Sequence, residues 1–540
     1  MEMKQAVRRV RMSRLIRKGH PRLSLIGVLL AALCLVYLIT TWQLGMNNIF
    51  PFLEKGPKSV VMHSAMEVLQ ARWSGLSNSR PHTASGMMKE KCVSNPKGNS
   101  SKAYRLDPHH LEKLATSLQL DLGQAWVSQA PSLFAKEEFE DLKMPQFQAR
   151  VPALVFFKDT FLAFCEARFD SVQDWGNMMI GLRRGNLKGR EVTWERIRVI
   201  AGIPEHRTMN PTPIVDRKNN AIVLVFSAFP THMTYLDLMK HAGQPMSRLY
   251  VMKSNDVGLT WSDPVDITNQ TIGKIKPFPV LYAPGPGHSL QMNCGRIVVP
   301  GNFFTTEERR RGISGMCSNC INLSNILYSD DGGTTWHLGA RTAPAQDASG
   351  ASIYPNEAQL AEFDDGTLYM NLRTLDSVQP RAYCRSYDGG QTLTRIKLHP
   401  TLVEPGYRRK NKAWKPALPG GCHASTISVN ISTPTPVPTP QKTWLVFSNP
   451  ADPLERVNQG IRLSVDGGTS WSNPWIIFPY KSAYSDLVYF DKTTAAGKRE
   501  HYFAVVFEGG SSTFSDHLKF LMFNLEALIH NILKHGTPRS

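Results

Sequence analysis

Four copies of one short pattern put carboxylates, hydroxyls and glycines where they could hold a cation or close a turn. They read SNDVGLTW at 254–261, SDDGGTTW at 329–336, SYDGGQTL at 386–393 and SVDGGTSW at 464–471. A calcium loop needs further acidic ligands and a closing Glu at its twelfth position, and these copies supply neither. Ser and Asp side chains bond nearby amides, Gly accepts positive φ, and a terminal aromatic packs back on a sheet. Asp256, Asp331, Asp388 and Asp466 are therefore expected to tie turns. Cys317-Ser-Asn-Cys320 resembles half a zinc site, but no second pair follows at ligand spacing. A local disulfide or buried thiols fit it better than metal. Nothing in these patterns requires a metal or a cofactor.

The elements that would carry such turns are strands. From about residue 125 the chain runs through PALVFFKDTFLAFCEAR, AIVLVFSAF, GRIVVPGNFF, GTLYMNLRT, TWLVFSNP, HYFAVVFE and LKFLMFNL. These runs are short, aromatic and β-branched, and are bounded by Gly, Pro, Asp and Asn. No long amphipathic helix interrupts them. An all-β domain at 125–540 is too large for an ordinary sandwich, and radial repetition is the usual solution. The four copies begin 75, 57 and 78 residues apart, enough for a four-stranded sheet and its loops in each unit. STPTPVPTPQ at 432–441 reads as a solvated loop between strands.

Ahead of this domain lies a different texture. Leu23 to Thr41 carries no charge, and the apolar character continues to about Leu44, close to the ~20 residues a bilayer-spanning helix needs. Eight cations and one acid precede it in residues 1–22. The positive-inside rule keeps that tail cytoplasmic. The expectation is a type II single-pass protein: tail 1–22, signal anchor 23–43, stem and linker 44–124, and a lumenal or extracellular domain. Golgi, lysosome and plasma membrane are not distinguished. Within the linker, Asp107 and Pro108 start a short helix with Leu111, Leu114 and Leu118 on one face. Sequons at Asn99, Asn269, Asn322 and Asn430 suit a glycosylating compartment. The net charge of +18 falls to +11 once the tail is set apart. The remainder forms no basic stripe, so an anionic glycan suits it better than nucleic acid. A Golgi glycosyltransferase would share the tail, span and stem, but its expected fold is α/β.

The repeat is the Asp-box, and with ARVPAL at 149–154 it resembles the exo-α-sialidases (neuraminidases). The resemblance extends over roughly 130–530 and to the animal branch, through FLAFCEAR, GLRRG, APGPGHSLQ, NEAQLAE, SNPADPLERVN and AYSDL. APGPG and SNPADPLERVN look most like the lysosomal member. The resemblance implies a six-bladed β-propeller with Asp-boxes on the outer turns, and sialylated glycans as substrate. It implies that Arg150, Arg373 and Arg456 clamp the sialic-acid carboxylate, as guanidinium groups can do bidentately. Ala149 and Val151 flank the first arginine where the family has an aromatic and Ile. Tyr484 matches the nucleophile and Glu357 its general base, with Glu362 a rival from sequence alone. A neutral Tyr avoids the repulsion a carboxylate nucleophile would meet beside the substrate anion. The acid/base catalyst is Asp174 by counting back from LRRG, or Asp170. Glu166 would orient Arg150, Arg168 and Asn210 would line the pocket, and Phe304 would meet the N-acetyl group. A sialic-acid-binding propeller without catalysis and a trans-sialidase remain as alternatives; a protein partner is not indicated.

Overall fold

Runs such as PALVFF and FLAFCEAR become neighbouring antiparallel strands, Gln148–Phe157 and Thr160–Arg168, and the second is buried along its whole length. A strand covered on both faces reads as a continuous apolar run, not as an alternation. The structure, a computed structural model, describes residues 92–94, 108–134 and 147–535, except 171–172, 242–243, 307–319, 376–378, 407–419, 432–441 and 495–496. All of these belong to the unit Ser85–Ser540. The tail, the span 23–43, most of the stem and Asn99 lie outside the described residues. Among the described residues no helix is long and apolar enough to cross a membrane.

Five principal antiparallel sheets follow one another along the chain. The first holds Gln148–Phe157, Thr160–Arg168, Met178–Lys188 and Glu191–Trp194, with Arg198–Ala201 also paired to the third strand. The second runs from His206–Asp216 to Val265–Asp266, the third from Leu281–Pro284 to His337–Arg341, and the fourth from Pro355–Glu362 to Lys397–Leu398. The fifth has six strands from Ser425–Asn430 to Leu518–Asn524. Its 19-residue strand Trp475–Thr493 changes partner along its length. Its first part pairs with Val457–Ser464 and the rest with Arg499–Gly510.

Apolar seams join these layers in a cycle. Sheets one and two share a cluster around Leu162, Phe164 and Phe226; two and three around Val223, Val299 and Leu327. Three and four meet at Val298 and Met370, four and five at Tyr369 and Phe447. The strands after Leu487 pack on one side against Trp444 and Leu463, and on the other against Phe161 and Ala163 of the first sheet. The result is an all-β, propeller-like arrangement.

Each Asp-box links the third and fourth strands of its sheet. In the third sheet Ser329 Oγ donates to Asp331 Oδ1 (2.9 Å), and the Gly333 amide donates to Ser329 Oγ (2.8 Å). The Thr335 amide and hydroxyl donate to the two Asp331 oxygens (2.8 and 2.7 Å). Gly332 and Gly333 have φ of +69° and +79°, where a Cβ would be strained. Asp256, Asp388 and Asp466 are tied in the same way. The last residue of each box then packs into the seam with the preceding sheet: Trp261, Trp336, Leu393 and Trp471 in turn. Leu393 fills the same seam position as the three tryptophans.

Three features revise the sequence reading. The helix Pro108–Ser117 forms where expected, but Leu111 and Leu114 are buried against a second helix, Leu525–His535, and the fifth sheet. The domain therefore takes in 108–124, beyond the boundary at 125 expected from the sequence. The C-terminal helix was not expected; Leu525, Leu528, Ile529 and Ile532 give its i, i+3, i+4, i+7 pattern, and Asn524 Oδ1 caps the Ala527 amide at 3.0 Å. Asn322 is 2% exposed, on a strand opposite Phe304, so the folded domain has no room for a glycan there. Asn269 and Asn430 are exposed.

Cys92 and Cys294 form a disulfide across 202 residues, and the Ser94 amide donates to the Tyr387 carbonyl at 2.8 Å. Residues 92–94, read as stem, are thus pinned to the third and fourth sheets. Cys165, Cys384 and Cys422 are buried free thiols. Cys317 lies outside the described residues, and only the backbone of Cys320 is described, as the start of Cys320–Ser329. Closing so long a loop restricts the unfolded chain, so Cys294→Ser should cost about 3 kcal/mol of stability. Thermal unfolding with and without reductant checks this: reductant should lower the midpoint of the parent protein and leave the variant unchanged.

Candidate active site

The site is built where strands break register. Bulges interrupt Gln148–Phe157 between Arg150 and Ala153, His206–Asp216 between Met209 and Thr212, and Pro355–Glu362 between Pro355 and Ala358. A fourth interrupts Trp475–Thr493 between Ser482 and Ser485. These four bulges carry Arg150, Asn210, Glu357 and Tyr484. Bulges unpair a residue and re-aim its neighbours, and Pro152 and Pro211 cannot donate to a ladder. Val151 and Asn210 sit at φ of +53° and +57°, a costly conformation for a β-branched Val.

Two buried carboxylates hold these turns. Glu508, fully buried on Arg499–Gly510, accepts the Val151 amide at 2.9 Å and grips Arg150 through Nε (2.9 Å) and Nη2 (3.1 Å). Burial opposes the Arg150 charge, but Glu508 and Asp174 hold it firmly cationic. Glu508, not Glu166, is therefore the partner that orients Arg150. Glu166 accepts the Asn210 amide at 2.9 Å and bonds Arg168 through Nε at 3.1 Å. Arg168 Nη2 reaches on to Asp174 Oδ1 at 2.8 Å.

Asp174 has a side chain 71% exposed. Burial of its surroundings pushes its carboxyl up, but Arg168 and Arg150 outweigh this and hold it below the usual range. Asp170 is engaged elsewhere: its carboxylate accepts the Asn177 amide at 2.9 Å and the Asn177 Nδ2 at 2.8 Å, closing the loop. Arg207, not anticipated from sequence, lies near Asp174 and Glu166. Burial lowers its pKa to about 10, while both carboxylates act in the opposite sense.

The remaining groups converge on one phenol. Tyr484 donates a short hydrogen bond to Glu357 Oε1. Arg373 Nη1 donates to Glu357 Oε2 at 2.6 Å and to Tyr484 Oη at 3.1 Å, while its Nε and Nη2 rest on the Gly420 carbonyl. Arg456 donates to the Gly421 carbonyl at 2.9 Å. The guanidinium carbons of Arg150 and Arg456 each lie 5.9 Å from the Tyr484 ring centre, and Phe514 lies beside both. Burial and the Glu357 charge push the Tyr484 phenol far above its ordinary range, so it is neutral. Burial pushes Glu357 up, but the Arg373 charge and the hydrogen bond from Tyr484 hold it below the usual range. Glu362 accepts the Asn293 amide and is pushed up to about 7 by burial, away from this cluster.

His423 and Phe514 were not anticipated either. The His423 ring is buried 5.4 Å from Tyr484, and burial pushes its pKa down to about 4, so it is neutral above that pH. Beneath Tyr484, the buried Asp486 carboxylate takes the Leu154 and His288 amides, Gln359 Nε2 and Ser425 Oγ at 2.7–3.0 Å. One carboxylate so binds several layers together two residues from the phenol. Phe304 is half-buried on Ile297–Thr306 opposite Leu281 and Asn322, and the bonds just described do not run to it. The arrangement gathers three guanidinium groups around one neutral phenol that is hydrogen-bonded to a carboxylate, with an exposed carboxyl at the rim.

Comparison with known proteins gives consistent results. The family description "BNR repeat-like domain" matches residues 159–494. Sialidase-3 of Mus musculus is 30% identical, covering 74% of this chain and 94% of its own. Sialidase-4 of Homo sapiens is 28% identical, with coverage of 72% and 93%. Among solved structures, the Hadza microbial sialidase Hz136 superposes with a TM-score of 0.54 at 24% identity, covering 70% of this chain and 66% of that one. A leech intramolecular trans-sialidase does so with 0.52 at 16% identity, covering 73% and 70%. At these identities the solved structures speak to the fold alone.

Proposed function

This chain belongs to the animal sialidase family and is a glycoside hydrolase, and from that premise we propose that it removes terminal α-linked sialic acid from glycoproteins, oligosaccharides or gangliosides with retention of configuration. The single observation that carries the chemistry is the Tyr484–Glu357–Arg373 cluster. In this reading Arg150, Arg373 and Arg456 seat the substrate carboxylate. Glu357 accepts the phenolic proton as Tyr484 Oη attacks the anomeric carbon, and Asp174 protonates the departing glycosidic oxygen. A tyrosyl-linked sugar results. Water then attacks from the vacated face, giving its proton to Asp174, and Glu357 returns the proton to Tyr484. Two inversions give net retention. Hydrolysis and not mere binding is favoured because a lectin needs the arginines but not a phenol on a buried base.

The roles of Asp174 and Asp170 are separable. Asp174→Ala should lower turnover of a natural sialoside ~10²- to 10³-fold. The loss should be much smaller for an aryl sialoside, whose leaving group needs little protonation. Because the free carboxyl is held ionised, its acid form grows as pH falls, and kcat/KM should rise from neutral toward acidic pH. Asp170→Ala should disturb the loop and raise KM with little change in that profile. Full activity in Asp174→Ala together with loss in Asp170→Ala would invert the assignment.

We also read the domain as six-bladed. The six seams and the shared strand Trp475–Thr493, which can serve two blades, support this. The membrane anchor at 23–43 rests on the sequence alone. Extraction of the full chain from membranes by alkaline carbonate would refute it.

A further inference from the structure

Between the fourth and fifth sheets the chain passes against the site as Gly420-Gly421-Cys422-His423. Three successive carbonyls of this segment each accept from an arginine. Gly420 takes Arg373 Nε at 3.1 Å and Nη2 at 2.9 Å, Gly421 takes Arg456 Nη2 at 2.9 Å, and Cys422 takes Arg381 Nη1 at 2.8 Å. His423 follows, its ring 5.4 Å from that of Tyr484. The first two arginines belong to the site. The third, Arg381, stands behind the segment, fully buried just ahead of the strand Ala382–Ser386.

The segment precedes the strand Ser425–Asn430, so the ladder of the fifth sheet does not fix it. Glu404, also fully buried, does so together with Arg381. Its carboxylate accepts the Cys422 amide at 3.0 Å and Arg381 Nη1 at 2.7 Å. Arg381 Nε donates at 2.5 Å to Asn371 Oδ1, two residues before Arg373 on Leu368–Thr374. The pair thus holds both the amide and the carbonyl of Cys422 and ties them to the strand that carries Arg373. Gly421 is confined as well: at φ +70°, a Cβ there would lie 2.7 Å from the Thr374 carbonyl oxygen and 3.2 Å from Arg373 Cγ. Burial works against both charges, pushing the Glu404 carboxyl up and the Arg381 guanidinium down. A buried ion pair is a weak source of stability, since apolar residues of similar volume often serve as well. What the planar fork of an arginine adds is a fixed direction for the groups it binds.

We propose that Arg381 and Glu404 are positioning residues for the anion clamp, acting through the Gly420–His423 segment on Arg373 and Arg456. The proposal rests on the reading that those two arginines seat the substrate carboxylate. Arg373 is also held by Glu357 at 2.6 Å, so Arg456, which donates to Gly421, is the more sensitive to a shift of the segment. Neither Arg381 nor Glu404 touches the substrate.

The test places Arg381→Lys and Glu404→Gln separately in the full chain. Lys keeps the charge beside Glu404 but lacks the fork that reaches Asn371, Glu404 and Cys422 together; Gln keeps the size and loses the charge. Each should raise KM for a small fluorogenic sialoside by about tenfold, with kcat changed less than about threefold. Each should weaken binding of N-acetylneuraminic acid to the same degree. KM does not depend on how much of the protein is folded, so a stability loss alone does not produce this result. Should either variant fail to fold, Arg381→Met with Glu404→Met leaves no unpaired buried charge and should show the same rise in KM. Arg296→Lys is the control. Arg296 is another fully buried arginine, paired with Asp330 at 2.7 Å and donating to the Gly389 carbonyl at 3.0 Å. Its variant should lose stability and keep the parental KM and affinity. Parental KM and affinity in any folded variant of Arg381 or Glu404 overturns the proposal, as does an equal rise of KM in Arg296→Lys. If the parent chain cleaves no sialoside, the catalytic reading fails separately, and titration with N-acetylneuraminic acid still decides this one.

Discussion

Tyr484→Phe should reduce kcat for sialoside hydrolysis by ~10³-fold or more, with little change in KM. The substitution removes one oxygen and keeps the ring that Arg150 and Arg456 face at 5.9 Å. The proposed anion seat is therefore preserved while the proposed nucleophile is lost. Glu357 loses its proton donor but keeps Arg373 at 2.6 Å, so it is not left as an unpaired buried charge. The variant should accordingly unfold near the parent temperature. A fluorinated sialoside that slows the second step should leave a sugar adduct on the peptide containing Tyr484 in the parent and none in the variant. A Phe variant with more than about a tenth of parental turnover, or an adduct on another residue, would remove Tyr484 from the role.

The second large effect concerns Glu508. Glu508→Ala should lower stability by about 3–5 kcal/mol, the cost of breaking a buried ion pair by deleting one partner. It should also lower kcat/KM by ~10²-fold or more, because one group holds three things at once. It grips Arg150, accepts the amide of Val151 at φ +53°, and lies beneath the Tyr484 amide at 3.4 Å. Glu508→Gln keeps one acceptor and loses the charge, so its stability loss should be smaller while its KM stays raised. Chemical denaturation and initial rates on the two variants separate the contributions. Parental stability in Glu508→Ala would show that Arg150 finds another partner.

Glu508 also marks what the sequence could not disclose. It stands in HYFAVVFEGG as one carboxylate ending an apolar run, and its partner lies 358 residues away. The resemblance implies Glu166 as the partner of Arg150, and the two are indeed directly opposite in the ladder between the first two strands. The bulge that begins at Arg150 breaks that logic, and the guanidinium pairs with Glu508 instead. Strand periodicity does not announce a bulge, although the Pro after Val151 and the Pro after Asn210 were its traces. His423, Phe514 and Arg207 escaped for a similar reason: each matters through a neighbour distant in the chain. Motif resemblance pointed to Arg150, Arg373, Arg456, Glu357 and Tyr484, and the fold brings those five together. Counting back from LRRG favours Asp174 with Asp170 as its rival, and here the geometry adds information by engaging Asp170 with Asn177. The boxes were legible as turns because all their partners lie within five residues of the Asp. Their second job, anchoring each sheet to the one before, depends on where the terminal Trp or Leu packs.

The seam between the first sheet and the strands Arg499–Gly510 and Leu518–Asn524 has no Asp-box, and residues 127–132, ahead of the first sheet, bridge to the last strand there. Synthesis on a ribosome delivers this cover after every other sheet. Until Leu518–Asn524 emerges, Phe161 and Ala163 of the first sheet stay wet, and Arg150 waits for Glu508. A nascent chain lacking these strands leaves that apolar face uncovered, the kind of exposed surface that makes folding intermediates aggregation-prone. The strand that carries Glu508 to Arg150 thus also carries Ala504 and Val506 to cover the first sheet.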